Sequence, residues 1–257
     1  MPSTFTPAET TWLARLGTLR QVVRQEVVAT QLSEHLRPGA PRVLDVGCGQ
    51  GTQALRLARL GYDVTALDSS EKMLAELSRS LADEPAKVRD RVQVVRADAT
   101  RLAGTFSPGC FDTVLCHGLL MYFPDPGPIL TDLARMLAPG GVLSLLVRNA
   151  DGLAMRSGLL GDWPKALAAF DSPAYGNRLG IPARADRLAD LTAALSARGL
   201  EVYRWYGVRV FTDTVPDDAP LPAAEELAQI LNAETRAGST DPYRGVAALT
   251  HVFARRP

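Results

Sequence analysis

Residues 43–51, with the sequence VLDVGCGQG, combine a short apolar run, a turn with three glycines and the start of a helical pattern. Gly47, Gly49 and Gly51 can adopt backbone angles that other residues avoid, and without a Cβ they let a ligand approach the main chain. Asp45 stands directly before the turn, where it can order the loop or meet a cationic group, whereas a pyrophosphate would be repelled. The stretch predicts a ligand-binding strand–turn–helix; a turn that serves only close packing is the alternative.

The sequence around this motif alternates short apolar runs with helical patterns from residue 41 to residue 149. Such alternation is typical of a parallel sheet with helices on both faces. We predict strands at residues 42–46, 62–67, 92–96, 111–116 and 142–147. The helices between them are predicted at residues 52–60, 71–82 and 128–137.

The rest of the chain extends this core within one domain, residues 1–257. We predict an N-terminal helical segment (1–38), a cofactor-binding core (40–149), an insertion after the fifth strand (151–185) and a C-terminal part (186–257). The insertion contains Pro164, Pro173 and Pro182 and is predicted to be irregular and to roof a pocket. Helices at 187–197 and 223–236 and strands at 201–211 and 247–255 complete the pattern. The predicted fold class is α/β, a doubly wound, mostly parallel seven-stranded sheet.

Composition narrows the classes of function. The chain has 257 residues, 46% of them hydrophobic, and equal numbers of basic and acidic residues give it zero formal net charge. That balance argues against a nucleic-acid ligand held mainly by phosphate neutralisation. Cys48, Cys110 and Cys116 have no metal-ligand spacing, so we expect reduced thiols, no metal site and a cytoplasmic location. No apolar run has the length of a signal peptide or a membrane span, so no membrane association is expected.

Polar residues follow the predicted second and third strands, at the edge where open α/β sheets bind ligands. Asp68 can accept the ribose hydroxyls of an adenosine or cap the following helix, a role that Ser69 or Ser70 can fill instead. Asp98 and the backbone N–H of Ala99 can meet an adenine ring; Asp98 can also be a turn or cap residue. These positions predict an adenosine-containing ligand.

The glycine motif, Asp68, Asp98, the run FDTV (111–114) and the run LAPGGV (137–142) together resemble the class I S-adenosylmethionine-dependent methyltransferases over residues 40–149. The chain as a whole is similar to one branch of this class, the bacterial tRNA 5-carboxymethoxyuridine carboxyl methyltransferases. The strings that carry the second resemblance are LRQ (19–21), PGGVLSL (139–145), NADGL (149–153), GVRVF (207–211), ETR (234–236), PY (242–243), HV (251–252) and AR (254–255).

The resemblance implies that S-adenosylmethionine is the cofactor. It implies that Arg20 reaches the cofactor's carboxylate, with which a guanidinium pairs bidentately; without the family, Arg20 would be a solvated helix arginine. It further implies that Gly47 and Cys48 line the methionine end and that His117 makes another cofactor contact. The predicted cofactor site consists of Arg20, Asp45, Gly47, Cys48, Gly49, Asp68, Ser69, Asp98, Ala99 and His117.

The residues leave the chemistry of the methyl acceptor open. A carboxylate is ionised at neutral pH and needs no general base. Arg209, in the predicted strand 201–211, is its candidate cationic partner, unless it is a strand arginine paired on the surface. An acceptor of higher pKa needs a base, for which His117 and Tyr122 are the candidates. His117 can also be a structural residue.

Three functions are compatible with the sequence. The first is methyl transfer to a carboxylate or other oxygen of a small molecule. The second is tRNA 5-carboxymethoxyuridine carboxyl methylation. Members of that branch have a lysine-rich insertion, whereas residues 164–184 here contain only Lys165, Arg178 and Arg184 as basic residues. The third is a non-catalytic protein that binds S-adenosylmethionine.

Overall fold

The computed structural model describes residues 6–36 and 41–257. Residues 1–5 and 37–40, which include both ends of the predicted N-terminal segment, lie outside the described residues. The strands are β1 (Arg42–Val46), β2 (Asp63–Asp68), β3 (Val92–Arg96), β4 (Phe111–His117), β5 (Leu137–Arg148), β6 (Ala174–Gly176), β7 (Pro182–Arg184), β8 (Glu201–Val208) and β9 (Leu249–Arg255).

Helices surround these strands and precede them. Among the helices of the described residues, none is long and apolar enough to span a membrane. The α-helices are α1 (Glu9–Arg15), α2 (Leu19–Ser33), α3 (Thr52–Arg59), α4 (Glu71–Ala82), α5 (Ala86–Arg89), α6 (Leu102–Thr105), α7 (Gly127–Met136), α8 (Leu153–Leu159), α9 (Trp163–Asp171), α10 (Leu188–Ser196) and α11 (Ala224–Gly238).

Seven strands form one sheet in the order β3-β2-β1-β4-β5-β9-β8. Strands β1 to β5 run parallel, and β9 lies antiparallel between β5 and β8. The chain moves outward from β1 through β2 to β3 and then returns to the other side of β1 at β4, so the strand order reverses there. Ligands of open α/β sheets bind at such a reversal, beyond the carboxyl ends of the strands.

Helices cover both faces of the sheet, as its burial pattern requires. Successive residues of β1 face opposite layers: Val43 packs with Leu57 and Leu77 of α3 and α4. Leu44 packs with Leu133 of α7 in the other apolar layer, to which α10 also contributes. The predicted doubly wound, mostly parallel seven-stranded fold is confirmed.

The predicted irregular insertion contains regular structure. Residues 153–159 and 163–171 form α8 and α9, and β6 and β7 form a short antiparallel hairpin. Two of the three prolines that suggested irregularity occupy positions that helices and strands tolerate, and Pro173 lies between α9 and β6. Pro164 lies in the first turn of α9, and Pro182 is the first residue of β7. The expectation of an irregular segment was therefore wrong.

Two strand boundaries differ from the prediction by three residues or more. Strand β5 begins at Leu137 because Leu137 pairs with Phe111 before a shift in register, so the Pro-Gly-Gly sequence lies within the strand. Strand β8 ends at Val208 because Arg209 adopts a left-handed backbone conformation with φ 59°. Arg209 is thus not a strand residue; it begins the loop that follows β8.

Helix α2 brings the N-terminal segment onto the sheet. Val23 and Val27 are buried against Val208 and Leu249, and α2 also packs on α11. The beginning of α2 consequently lies near the carboxyl ends of the strands, where Arg20 is almost fully buried.

Gly51 tests how tightly the glycine-rich turn packs. Its φ is +78°, and a Cβ there would stand 2.2 Å from Cδ1 of the fully buried Leu77. Gly51→Ala should combine left-handed strain with overpacking and lower the free energy of unfolding by roughly 2–4 kcal/mol.

Gly199→Ala is the matched control, since Gly199 has φ +72° with no heavy atom within 4 Å of its added Cβ. It should cost only the backbone strain, about 1–2 kcal/mol. Urea denaturation of both variants measures the difference, and equal losses would show that Leu77 does not constrain the turn.

Candidate active site

A cavity of about 1000 Å³ opens at the carboxyl edge of the sheet. The glycine-rich turn after β1 and the ends of β2 and β4 form its floor, while α1, α2, α8, α9 and the β6–β7 hairpin contribute to its walls. The described residues include all ten members of the predicted cofactor site, and each of them lines this cavity. Residues of the insertion also line it, among them Leu153, Arg156, Ala168 and Tyr175.

The glycine-rich turn is held by its own backbone and by Asp68. Gly47 and Gly49 have φ values of +71° and +55°, a conformation that glycine adopts without strain. The N–H groups of Gly47 and Cys48 both donate to the carbonyl of Leu67. The N–H of Gly49 donates to Oδ2 of Asp68 over 2.8 Å. A Cβ on Gly49 would meet no heavy atom within 4 Å, so the surface above this turn is open to a ligand.

The carboxyl groups of Asp45 and Asp68 flank this turn and differ in how deeply they are buried. Asp45 is 3% exposed, and burial, with the negative charge of Asp68, raises its pKa to about 7. Asp68 is half-buried and its pKa is raised by burial, although its carboxylate accepts backbone hydrogen bonds from Gly49 and Ser70. Burial also raises the pKa of Cys48 well above its usual range, so its side chain is a neutral thiol. An ammonium group brought to Asp45 would favour its charged form.

The sequence left open whether Asp68 and Asp98 act as cap residues, and the structure gives a different answer for each. Ser70, not Asp68, caps α4, because its hydroxyl accepts the N–H of Met73 over 3.1 Å. Ser69 is exposed at the cavity surface. Asp98 does act as a cap: its Oδ1 accepts both the N–H and the hydroxyl of Thr100. Cap formation orients the Asp98 carboxylate at the end of β3 and does not remove it from the cavity wall.

An arginine cluster forms the opposite side of the cavity. Three guanidinium groups converge on Asp213, at 2.8 Å from Arg20, 3.3 Å from Arg148 and 3.7 Å from Arg209. Burial alone would raise the pKa of Asp213, but the three positive charges outweigh it and hold that pKa well below its usual range. The Nε atom of each of the three arginines is buried without a hydrogen-bond partner in the described part of the chain. The cluster therefore retains donors that an anion can use.

Asp217 extends this cluster toward the N-terminal helices and the insertion. It pairs with Arg20 over 2.6 Å, with Arg178 over 2.8 Å and with Arg15 over 3.3 Å. Arg20 is thus held by two carboxylates, and it is a buried residue, not a solvated one. Of the arginines that the structure describes, seven line the cavity: Arg15, Arg20, Arg24, Arg148, Arg156, Arg178 and Arg209.

Arg209 owes its position to an unusual turn after β8. Its φ of 59° is left-handed, and the next three backbone N–H groups (210–212) all donate to the carboxylate of Glu234, at 2.7–3.1 Å. Glu234 is 1% exposed and comes from α11. The turn aims Arg209 inward, where it is 7% exposed. The alternative of a surface-paired strand arginine is therefore wrong, since the ion pair with Asp213 is buried.

His117 ends a chain of hydrogen bonds that crosses the sheet. Its Nε2 lies 2.9 Å from the hydroxyl of Ser144, which lies 2.8 Å from Nε2 of His251. Nδ1 of His251 lies 2.8 Å from Oε1 of Gln31, whose Nε2 donates to the carbonyl of Gly207. The chain connects α2 with β9, β5 and β4 in turn.

The carbonyl of Gly207 sets the direction of every bond in this chain, because a carbonyl can only accept. Gln31 must present its amide N–H₂ to that carbonyl and its oxygen to His251, which therefore carries its proton on Nδ1. Nε2 of His251 then accepts from Ser144, and Ser144 accepts from Nε2–H of His117. His117 is left with an unprotonated Nδ1, which is buried without a partner among the described residues.

Neither candidate general base is suited to that role at neutral pH. Burial, aided by the charge of Arg24, lowers the pKa of His117 to about 3, so His117 is a neutral and very weak base. Burial raises the pKa of Tyr122 to about 12, and Tyr122 accepts a hydrogen bond from Asn177. Neither residue would therefore accept a proton readily at neutral pH.

The residues predicted for the cofactor all line the cavity, but sequence reasoning missed several polar residues in or beside the arginine cluster and the hydrogen-bond chain. Arg148, Asp213 and Asp217 were not predicted, nor were Gln31 and Ser144. The signal for Asp213 was an acidic residue four positions after Arg209, but that spacing has no meaning until a turn brings the two together. For Gln31 and Ser144 the sequence carries no signal, because each is one polar residue within an apolar helix face or strand.

The fold and the cavity define a class of protein. A class I S-adenosylmethionine-dependent methyltransferase has this strand order, a glycine-rich turn after β1, and acidic residues at or just after the ends of β1, β2 and β3, here Asp45, Asp68 and Asp98. Residues 44–145 match a family described as methyltransferase domain. The turn leaves its surface open, and a buried carboxyl with a raised pKa stands beside it, so the residues present fit the cationic amino-acid end of that cofactor.

A relative with a curated description extends over most of the chain. It is the tRNA 5-carboxymethoxyuridine methyltransferase of Escherichia coli, 31% identical over 241 residues, which cover 94% of this chain and 89% of that protein. This chain therefore belongs to the S-adenosylmethionine-dependent methyltransferases, in the family that contains the tRNA 5-carboxymethoxyuridine methyltransferases. The predicted class, enzymatic activity and cofactor are confirmed, and the non-catalytic alternative is set aside.

Other similarities concern the core of the chain or its fold. A ubiquinone biosynthesis O-methyltransferase of Xanthomonas euvesicatoria is 38% identical over 139 residues, 54% of each chain. The 1,6-didemethyltoxoflavin-N1-methyltransferase of Burkholderia thailandensis, solved with its substrate and S-adenosylhomocysteine, superposes with a TM-score of 0.57 at 20% identity and covers 91% of this chain and 78% of that one. The acceptors named for these proteins differ, so the fold does not determine the acceptor here.

The direction of the hydrogen-bond chain can be read by NMR. The protein has three histidines, so ¹⁵N spectra of labelled protein resolve each ring. We expect His117 to be a neutral ring protonated on Nε2, and to remain so from about pH 8 to pH 5, because its pKa is about 3.

His251→Phe supplies the contrast. It removes the acceptor for the Ser144 hydroxyl, which can then donate to His117, so the fixed Nε2–H form should be lost. A wild-type His117 that is protonated on Nδ1, or that titrates near pH 6.5, would contradict the chain as derived.

Proposed function

We propose that this enzyme transfers the methyl group of S-adenosylmethionine to a carboxylate of a small anionic acceptor. The arginine cluster is the observation that carries this proposal: Arg20, Arg148 and Arg209 share one buried aspartate and keep unpartnered Nε donors. Buried positive charge that protein carboxylates only partly neutralise favours an anionic ligand.

The cofactor takes the half of the cavity formed by β1, β2 and β3. Asp45 binds its ammonium group, and Asp68 accepts its ribose hydroxyls while continuing to hold the N–H of Gly49. Asp98 and the N–H of Ala99 contact the adenine. The glycine-rich turn, with Cys48, lies along the methionine part, and Ser69 and His117 complete the contacts. Arg20 reaches the cofactor's carboxylate through its unpartnered Nε, because both its Nη atoms are already paired.

Catalysis on a carboxylate is a matter of alignment. The cofactor supplies an electrophilic methyl group, and the attacking atom is a carboxylate oxygen that needs no deprotonation at neutral pH. Arg209 and Arg148 orient that carboxylate, and α8, α9 and the hairpin exclude water above it. The products are a methyl ester and S-adenosylhomocysteine. The neutral His117 and the protonated Tyr122 agree with a reaction in which no residue has to accept a proton.

The second candidate acceptor is the 5-carboxymethoxyuridine of tRNA, which is also a carboxylate. The similarity to the Escherichia coli tRNA enzyme over 94% of the chain favours it. The insertion favours the small acceptor: Arg178 and Arg184 are turned inward in ion pairs with Asp217 and Asp186. On the outward face of α9, three apolar side chains are more than 60% exposed: Trp163, Leu167 and Phe170. Such a surface gives a phosphate backbone little to bind.

A direct assay distinguishes the two acceptors. Purified enzyme with S-adenosylmethionine is offered a panel of small carboxylates, the free nucleoside 5-carboxymethoxyuridine, and an anticodon stem–loop that carries this nucleoside. Mass spectrometry detects methyl esters, which mild base hydrolyses. We expect esters among the small acids or the nucleoside. Methylation of the stem–loop alone would establish the tRNA function, and methyl transfer only to nitrogen or neutral oxygen would refute the carboxylate proposal.

Substitution of Arg209 tests the acceptor half of the site. Arg209→Met should reduce kcat/KM by roughly a hundredfold, since a buried charge-assisted hydrogen bond contributes about 1.5–3 kcal/mol. Calorimetry should give an unchanged dissociation constant for S-adenosylhomocysteine. Arg209→Lys, which keeps the charge, should recover part of the rate. Normal turnover of the Met variant on its acceptor would show that Arg209 does not bind the acceptor.

The pKa of Asp45 predicts a pH dependence of cofactor binding. Because that pKa is about 7 in the free protein, the carboxyl is largely protonated at pH 6 and must release its proton to bind an ammonium group. Affinity for S-adenosylhomocysteine should therefore rise as the pH increases from 6 to 8, by about tenfold. Asp45→Asn should bind more weakly and without this dependence. A wild-type affinity that is equal at both pH values would show that Asp45 does not bind the ammonium group.

A further inference from the structure

Arg24 lines the cavity and has no carboxylate partner within residues 6–36 and 41–257. Its side chain leaves α2 one turn after Arg20, on the same face of the helix. Arg20 is held by two carboxylates and Arg178 by Asp217. Among the described residues Arg24 takes part in no ion pair and no hydrogen bond; its guanidinium carbon lies 5.4 Å from the ring centre of Trp12. Its charge is therefore available to a ligand.

The guanidinium of Arg24 lies at the carboxyl end of β4. Gly118, the residue after β4, has φ +76°, and a Cβ there would stand 3.0 Å from Nη2 of Arg24. Glycine thus leaves room for the guanidinium at this point of the sheet edge. Trp12 is fixed to the glycine-rich turn, since its ring N–H donates to Gln50 over 2.9 Å. The cation–π contact with Trp12 keeps Arg24 beside the strand end.

The electrostatics indicate which ligand group would suit this position. Burial in the cavity wall lowers the pKa of the half-buried Arg24 to about 10, an effect that Tyr122 partly opposes. Arg24 and Arg209 line the same cavity. Burial lowers the pKa of Arg209 to about 9, and the positive charges of Arg20, Arg148 and Arg24 add to that effect. An anion bound to both guanidinium groups would offset their positive charges. It would also give Arg24 the ionic partner that it lacks among the described residues.

We propose that Arg24, together with Arg209, binds the carboxylate of the methyl acceptor at the carboxyl end of β4. This inference rests on the proposed function and deepens it, because it adds Arg24 to Arg209 and Arg148 as a third cation for the acceptor and requires the bound group to be a carboxylate. A guanidinium pairs bidentately with a carboxylate, so two of them fix its plane as well as its position. A neutral ester or amide would leave the pair of charges unsatisfied and is rejected.

The cofactor also has a carboxylate, so the test must separate the two sources. S-adenosylhomocysteine contains that carboxylate, whereas 5′-methylthioadenosine lacks the whole amino-acid part. Benzoate serves as a small carboxylate probe for the acceptor half, and benzamide as its neutral counterpart. Calorimetry on the full-length protein measures both adenosine ligands, and then benzoate and benzamide added to protein saturated with S-adenosylhomocysteine.

The variants are Arg24→Met, Arg24→Lys and, as a matched control, Arg79→Met on the exposed surface of α4. Arg24→Met should weaken benzoate binding by about tenfold or more and leave both adenosine ligands within about twofold. Arg24→Lys should retain much of the benzoate affinity, and Arg79→Met all of it. Benzamide should bind poorly to every variant.

Several results would overturn the proposal. Benzoate that binds Arg24→Met as well as wild type removes Arg24 from the acceptor site. A loss confined to S-adenosylhomocysteine, with 5′-methylthioadenosine unchanged, assigns Arg24 to the cofactor instead. If Arg209→Met loses benzoate but Arg24→Met does not, this inference fails while the proposed function stands. If wild-type protein binds S-adenosylhomocysteine but no benzoate, the carboxylate function itself fails, and this inference with it.

Discussion

The buried carboxylate of Asp213 holds together three parts of the chain that form one side of the cavity. It receives Arg20 from α2, Arg148 from the end of β5 and Arg209 from the loop after β8. Three guanidinium groups could not be buried side by side without an anion between them. Because one carboxylate cannot neutralise three positive charges, the cluster remains electropositive. An anionic acceptor, as proposed, would complement that charge.

The position of Arg209 depends on a second buried carboxylate. Glu234 accepts the three backbone N–H groups that follow the left-handed Arg209, and also the hydroxyl of Thr212. A non-glycine residue in this conformation costs free energy, which the four hydrogen bonds offset. Helix α11 supplies Glu234 and packs on α2, the helix that carries Arg20 and Arg24. The acceptor side is therefore set by packing between distant elements.

The hydrogen-bond chain from Gly207 to His117 fixes which atom donates and which accepts at each step through the interior of the sheet. Each member is a polar group within an apolar layer, and each would be costly if unpaired. Together they keep His117 neutral, with its lone pair on Nδ1, beside the charge of Arg24. The same burial that makes His117 a poor base agrees with the proposed acceptor, a carboxylate that needs no deprotonation.

The sequence by itself determined the fold class and the cofactor, and it selected ten residues that all line one cavity. Those signals are local: glycines 47, 49 and 51 shape one turn, and Asp68 and Asp98 stand at strand ends that the alternating pattern already places on one edge. Only the tertiary structure decided the acceptor side. Arg20 and Asp213 are 193 residues apart, and Gln31 and His251 are 220 residues apart. Such pairs have no spacing rule, because their contact arises from helix packing and from one turn whose conformation Glu234 imposes.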